Sequence, residues 1–393
     1  MAGVTGLGTT YNLPNYTGIL YALTPADTPF LSAIGGLSGG RQATSTAFEW
    51  ETFDLRNASQ PENVEGATAP TAQERVRGNV SNVVQIHQEK VSVAYSKLAA
   101  VGLKAGINND QPNPVRSEVD WQVEQMLKQM VRDIEYSFLN GTYQAPANNS
   151  TGRRTRGLIA AATTNAITKA TSSVTGLSAA TDTVSETSTG LSNNDKIVFT
   201  DIGASTGLVL GRVYHVVSKS TNAFKVALTE GGTPVTIGTA TVAYTKPWTT
   251  TLTPAPVDDL LQSVWDNGGI SEMGSAALIV NSIQKRALTA AYADAHGKFV
   301  ESSRNVAGVA VDSIVTDFGT LNVMMSRFVP QDAIVVASLE QCAPVFLEVP
   351  GKGHFFAEPL ARTGSSDDVQ LYGEVGLAYG NEKAHGVLRG LAV

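Results

Sequence analysis

The chain has 393 residues, enough for two or three domains with a sizeable core. Its hydrophobic content of 42% is ordinary, but only 16% of residues are charged, and Gly, Ala, Ser and Thr fill the difference; so little surface charge suits a protein buried against partners or a β-rich secreted protein. A formal charge of −7 argues against nucleic-acid binding by phosphate neutralisation, and the lone Cys342 excludes an intrachain disulfide framework and a cysteine zinc site.

No apolar run approaches the roughly 18 residues of a membrane span. The segment MAGVTGLGTT has neither a basic n-region nor an apolar h-region, so no signal peptide is expected. The expected compartment is the cytosol, or a particle assembled there.

Residues 1–40 combine X-Pro steps and paired glycines with spaced apolar residues such as Ile19, Leu20, Phe30, Leu31 and Ile34. That pattern predicts an extended arm that lies on a surface. Two strands follow, TSTAFEWETFDL ending at Leu55 and SNVVQIHQEKVSVAYS starting at Ser81. The connection from Arg56 to Val80 is polar and carries Pro61, Pro70, Gly66 and Gly78. A structureless connection of roughly 25 residues in a compact domain points to a functional loop. A lone hairpin is marginal in water, and nothing nearby in sequence covers it, so a second copy of the chain is the expected cover. In the second strand Val84 and Ile86 share one parity and Val91, Val93 and Tyr95 the other, which predicts a bulge at Gln88–Lys90.

Asn113 as cap, Pro114 at the first helical position and Gly141 as stop delimit a long helix. Its apolar stripe is Val115, Val119, Val123, Leu127, Met130, Ile134 and Phe138, and Glu124 and Lys128 form an i,i+4 pair. At ~1.5 Å per residue it spans roughly 40 Å, long enough to act as a spine. A short helical stretch at Gly157–Thr163 comes next. From Thr168 to Trp248 the composition turns to Ser, Thr, Gly and Val. Short alternating strands there (Lys196–Thr200, Arg212–Ser218, Ala223–Leu228, Val235–Ile237, Thr241–Tyr244) predict a small sandwich or barrel inserted as its own domain.

After Pro254 the pattern reads helix at Val257–Asn267, strand at Ala276–Val280 and helix at Ser282–Ala295. Strands follow at Val306–Val315, Thr320–Phe328, Ala333–Val336 and Val345–Val349, and a closing hairpin turns near Asn381. Helices and strands are segregated rather than alternating, so the fold class is α+β.

No active site emerges. Gly203–Gly207 matches GxSxG around Ser205, but a strand-like segment follows where a nucleophile elbow needs a helix, and His215 is too close for the usual order. The five histidines (His87, His215, His296, His354, His385) show no metal-ligand spacing, and Gly351-Lys352-Gly353 lacks the phosphate-cradling pattern. Catalytic, cofactor and metal sites are therefore expected to be none, and Cys342 reads as a small buried hydrophobe.

The order of arm, long hairpin with polar tip, spine helix and α+β lobe resembles the major capsid proteins of tailed bacteriophages, which have the Hong Kong 97-type fold. The resemblance rests on YNLPNYTGILYALTPADTPFLSAIGG (residues 11–36), FEWETFDL (48–55), NVEGATAP (63–70), DWQVEQMLKQMVRDIEYSFLNGTYQ (120–144) and TRGLI (155–159). It covers most of the chain outside the segment from Thr168 to Trp248, which is similar to small β modules of phage structural proteins.

This resemblance implies an N-terminal arm at 1–40, an extended loop at 41–96 and a peripheral domain at 97–157 with the spine helix at 113–141. It further implies an axial domain at 158–167 and 249–360, a β-rich insertion at 168–248 projecting outward, and returning peripheral strands at 361–393. The loop tip would lie over a neighbour's spine helix. Inter-subunit contacts are expected from Arg56, Glu62, Glu65, Glu74, Arg75, Arg77, Tyr16, Phe30, Trp121, Glu124 and Lys128. The implied function is an icosahedral shell of pentamers and hexamers enclosing double-stranded DNA held by non-specific contact. Scaffolding, portal and decoration proteins would be separate partners, and the particle would assemble in the host cytoplasm. The tip contains no lysine, so it is expected to hold by contacts and not by the lysine–asparagine cross-link of some members. The alternatives are a tail-tube or encapsulin-type cage subunit and, from another class, a glycan-binding or hydrolytic β-protein centred on Ser205.

Overall fold

The computed structural model describes residues 27–295 and 313–393, apart from 56–57, 61, 63, 67, 70, 73, 100–116, 147, 149, 169–170, 187–189, 249–250, 271–275, 317 and 362–363. The short helix α1 (Pro29–Ala33) opens it, followed by β1 (Arg41–Ala43), β2 (Ala47–Thr52), β3 (Gly78–Val83), β4 (Gln85–Ala94) and α2 (Tyr95–Ala99). The long helix α3 (Glu118–Asn140), α4 (Leu158–Ala161) and β5 (Ala166–Thr168) come next. Strands β6 (Thr171–Ser178), β7 (Thr183–Ser185), β8 (Lys196–Asp201), β9 (Val213–Val217), β10 (Ala223–Ala227) and β11 (Thr241–Lys246) close into an antiparallel barrel in the order β10-β7-β6-β11-β8-β9.

The remaining elements are α5 (Pro254–Asp266), β12 (Ala276–Val280), α6 (Ser282–Ala295), β13 (Ser313–Thr316), β14 (Gly319–Met325) and β15 (Ile334–Ser338). Then come β16 (Ala343–Leu347), β17 (Phe355–Pro359), β18 (Ser366–Ala378) and β19 (Gly386–Arg389). Two main sheets organise the chain. Six strands pair in the order β13-β14-β12-β15-β19-β5, and β1-β16-β18-β17 with β4 on β18 make a five-stranded sheet.

The six-stranded sheet is covered on both faces, which explains why AALIV and IVVAS are continuously apolar rather than alternating. Ile279, Val335, Ala337 and Val387 face the core shared with α1, the second half of α3 and β18. Leu278, Val280, Ile334, Val336 and Leu388 face α5 and α6. Inside the barrel Phe199, Tyr214, Phe224 and Tyr244 pack edge to face with centroids 5.6–6.2 Å apart.

Several expectations shift. The phase change in the second strand falls at Val84, not at Gln88–Lys90, because β3 pairs with β2 in a two-stranded sheet while β4 runs along β18 from Gln85↔Val375 to Ala94↔Ser366. The chain changes partner there, so no bulge is needed, and Ile86 is left exposed. Asn113 and Pro114 lie outside the described residues; the described helix starts at Glu118, where Ser117 Oγ accepts the Asp120 amide, and stops at Gly141 as expected.

The closing hairpin does not exist as one. β18 belongs to the five-stranded sheet and β19 to the six-stranded one, so the turn at Asn381 carries the chain between sheets. Likewise β16 and β17 pair with β18 rather than extending the six-stranded sheet. Val235–Ile237 is not a strand; β6 and β7 take its place in the barrel.

The barrel is also stitched to the six-stranded lobe. Gly211, at φ +70°, lies so close to Pro330 that an added Cβ would come within 2.8 Å of it. Gln331 accepts from Val213 N through Oε1 at 3.0 Å and donates its amide to Gly211 O at 2.8 Å. On the other side Trp248 N donates to Gly390 O, and Thr245 Oγ1 donates to the Asp332 carboxylate at 3.4 Å.

Candidate functional site

The described residues of the polar tip between β2 and β3 bury almost nothing in their own chain. Phe53, Leu55, Val64 and Val76 are 61–80% exposed. Glu62, Glu65, Glu74, Arg75 and Arg77 are exposed too. Arg77 pairs with Glu51 across the hairpin at 2.7 Å, and Asn79 Nδ2 donates to Glu49. Gly66, at φ +79°, turns the tip.

The base of the hairpin is held in its own chain, which corrects the expectation that a second copy provides all of its cover. Phe48 stacks on Trp50, Trp50 packs edge-on against Tyr379 at 4.9 Å, and Trp50 Nε1 donates to Gly380 O at 2.7 Å. Gly376 admits this seat, because a Cβ there would come within 2.7 Å of the Phe48 ring. Lys383 Nζ reaches Asp54 at 2.5 Å. An open groove of about 760 Å³ lies beneath, between Phe53, Val76 and Val80 on the hairpin and Tyr143, Arg156 and Tyr379 below.

Asn82 locks β3 in place. Fully buried, its Nδ2 donates to Leu377 O at 2.7 Å and Arg156 O at 3.2 Å, while Oδ1 accepts from Arg156 N at 2.8 Å and Val83 N at 2.9 Å. Asn82→Leu would orphan these groups at ~1–3 kcal/mol each, so a loss of about 4 kcal/mol in folding stability is expected. Urea unfolding of the two proteins measures it; a loss below about 1 kcal/mol would contradict the bonding scheme.

Helix α3 divides at Met130. Beyond it Ile134, Phe138 and Leu139 are buried against α1, α4 and β18. Before it no side chain is buried: Val119, Trp121 and Val123 are half-covered, Leu127 is exposed, and the Glu124–Lys128 pair at 2.7 Å faces solvent. Among the described residues this stripe is only partly covered, which leaves apolar surface for a further contact.

Glu135 fixes the arm to the buried half of the helix. Its carboxylate accepts the Phe30 amide at 3.1 Å, the Leu31 amide at 2.6 Å and Ser326 Oγ at 3.2 Å. Burial raises its pKa while these three donors pull it down. On the five-stranded sheet Asp368 accepts from Lys90 (2.7 Å), Ser92 and Ser366, which push its pKa down to about 2. Arg153 and Glu374 make a sheltered ion pair at 2.8 Å.

Of the expected contact residues, Glu62, Glu65, Glu74, Arg75 and Arg77 lie on the exposed tip, and Trp121 (half-covered), Glu124 and Lys128 (exposed) lie on the first half of α3. Arg56 and Tyr16 lie outside the described residues. Phe30 is corrected: with no exposed surface it packs against Ile134 and Phe138 and anchors the arm within its own subunit. Sequence reading missed Trp50, Asn82, Glu135 and Gly376. Glu135 had a signal, since it interrupts the line Val131–Leu139 on the helix.

Ser205 sits in a barrel turn, where its hydroxyl donates to the carbonyls of Thr206 and Gly238 at 3.2 Å. Cys342 is buried, which pushes its thiol up to about 12. Among the described residues no cluster of His, Cys, Asp and Glu could hold a metal, and no helix is long and apolar enough to cross a membrane.

Solved capsid chains share this fold. The chain aligns over 99% of its length with the whole of a chain from the cyanophage A-1(L) capsid asymmetric unit, at 13% identity and a TM-score of 0.58. It aligns over its full length with 99% of a chain from the capsid of cyanophage P-SCSP1u (10%, 0.51) and with the whole of a chain from the capsid of a native GTA particle (12%, 0.50). No curated protein matches it significantly. The family model described as SU10 major capsid protein matches residues 3–392. The chain belongs to that family, and it is a major capsid protein of a tailed bacteriophage.

Proposed function

We propose that this subunit builds an icosahedral shell of pentamers and hexamers around double-stranded DNA, and that its exposed tip completes the uncovered half of α3 on a neighbouring subunit. The observation that carries the reading is the pairing of two unsatisfied surfaces on one chain. The tip presents apolar and charged side chains to solvent, and the first half of α3 presents the half-covered Val119, Trp121 and Val123 and the exposed Leu127. A heterologous contact of this kind closes rings when the rotation permits.

In this reading the fold is Hong Kong 97-like. The five-stranded sheet with α3 is the peripheral domain, and the six-stranded sheet with α5 and α6 is the axial domain that meets at the symmetry axes. The barrel is an inserted domain on the outer face. The role is structural rather than catalytic, the subunit resides in the virion after assembly in the host cytoplasm, and scaffolding, portal and decoration proteins are separate chains. A tube would have no use for a spine helix, which disfavours the tail-tube alternative.

Electron microscopy of the purified protein tests the proposal: closed isometric particles support it, and tubes or dispersed monomers at shell-forming concentrations refute it. Deleting residues 168–248 with a short linker is expected to leave closed particles, since the barrel core is self-contained. It should also lower the melting temperature, because Gln331 and Asp332 lose their barrel partners.

A further inference from the structure

His385 sits where the chain crosses from β18 to β19, and its ring is fully buried. Nδ1 accepts the Ser338 amide at 3.2 Å, and Nε2 donates to Tyr379 O at 2.6 Å. One nitrogen accepting and the other donating defines the neutral Nε2–H tautomer. Ser338 ends β15 of the six-stranded sheet, and Tyr379 follows β18 of the five-stranded sheet. Tyr379 and Gly380 are also the seat of Trp50 and therefore of the hairpin. One imidazole thus joins both sheets and the hairpin base.

We propose that His385 is an acid-sensitive latch: the neutral ring couples the six-stranded sheet to the hairpin seat, and a proton on Nδ1 uncouples them. Protonation would set the Nδ1–H and the Ser338 N–H, two donors, facing each other at a distance where an acceptor is required. Ser338 N–H would lose its partner, and the ring would be charged in a site closed to bulk solvent.

The charged groups around the ring do not cancel this. Burial lowers the ring to about 4, outweighing the Tyr379 carbonyl and Glu382 on the same turn, which both favour the proton. Across the turn Leu339–Gln341, Glu340 is engaged by Ser338 Oγ at 3.4 Å. Lys383 extends its ammonium to Asp54, and Arg156 reaches the Tyr379 hydroxyl at 3.0 Å. From α5 Val264 approaches Gly386, and the following Gly269 approaches Ala384, both without charge, and β15 (IVVAS) carries no charged residue.

Hydrogen exchange of the full-length protein from pH 7 to 4, corrected for the intrinsic pH dependence of exchange, tests the latch. In the wild type, opening of both 334–338 and 47–53 should rise by about tenfold for each unit below the ordinary histidine value. In His385→Gln, whose amide offers the same acceptor and donor without titrating, both segments should lose the part of the rise that His385 supplies. The proposal is overturned if the wild type shows no rise, or if the same rise persists in His385→Gln. It is overturned equally if the wild-type rise is confined to 85–94 around His87, or reaches 334–338 without 47–53. These last two outcomes need no variant, so the test stands even if His385→Gln folds poorly.

Discussion

Removing residues 57–77 is expected to leave a folded subunit that no longer closes into particles. The described residues of the deleted segment contribute no buried side chain to the subunit's own cores, and its neighbours Phe53 and Leu55 are already solvent-exposed. The seat made by Phe48, Trp50, Asn82 and Lys383 lies outside the deletion. The melting temperature of the dispersed subunit should therefore shift by no more than about 4 °C, the size of a ~1 kcal/mol change. Assembly is different. Burying Val64 and Val76 on a neighbour, with Phe53 and Leu55 carried along, is worth about 1.5–3 kcal/mol per side chain, and the tip charges add register. Losing even ~3 kcal/mol at every contact weakens each contact roughly 100-fold. Size-exclusion chromatography with electron microscopy reads the result, and closed shells at wild-type yield would sink the docking of tip on helix.

The fold was legible where a residue's local chemistry and its tertiary role agree. Gly141 stops α3 because a side chain there would collide with the Ser137 and Thr155 carbonyls at 2.4 Å, and the same glycine is an ordinary helix terminator in sequence. The bounds of β12 and α6 were readable for the same reason: an apolar run, then Asn281-Ser282 opening a helix. The hairpin and its polar tip were readable because an unfoldable linker is a local property. What stayed hidden depends on residues far apart in sequence. Asn82 looks like a polar interruption in a strand, and only Leu377 and Arg156, brought beside it by β18 and the 153–157 segment, show why an amide belongs there. Gly376 looks like a weak point in a strand until Phe48 occupies the space over it. The partner change at Val84 imitates a bulge because both events flip side-chain parity. The turn at Asn381 imitates a hairpin because Gly380 (φ +61°) and Asn381 have turn chemistry, while the sheet each strand joins is decided elsewhere.

Acid should destabilise the subunit steeply between about pH 6.5 and 4, chiefly through His87 and His385. Burial lowers both rings from 6.5 to about 4, and His87 has no partner for Nε2 on its buried face. Over that window the unfolded chain takes up protons that the folded chain refuses, so stability falls as pH falls. The full effect of such a shift is about 3 kcal/mol per ring, or about 6 kcal/mol for the pair at pH 4, comparable to the whole stability of a typical domain. Glu135 and Asp332 act in the opposite sense. Burial raises both, so their protonation favours the folded state as pH falls, and they offset part of the loss near the bottom of the window. Asp368, held at about 2 by Lys90, Ser92 and Ser366, withdraws its contribution only below the ordinary aspartate range and leaves the window untouched. Urea midpoints of the dispersed subunit at pH 7, 6, 5 and 4 measure the slope. His87→Gln and His385→Gln should each flatten it by about half, and the double variant should remove most of it. A slope unchanged in the double variant would mean that the protons are taken up at carboxylates instead, and that the two buried imidazoles are not what the folded chain protects from acid.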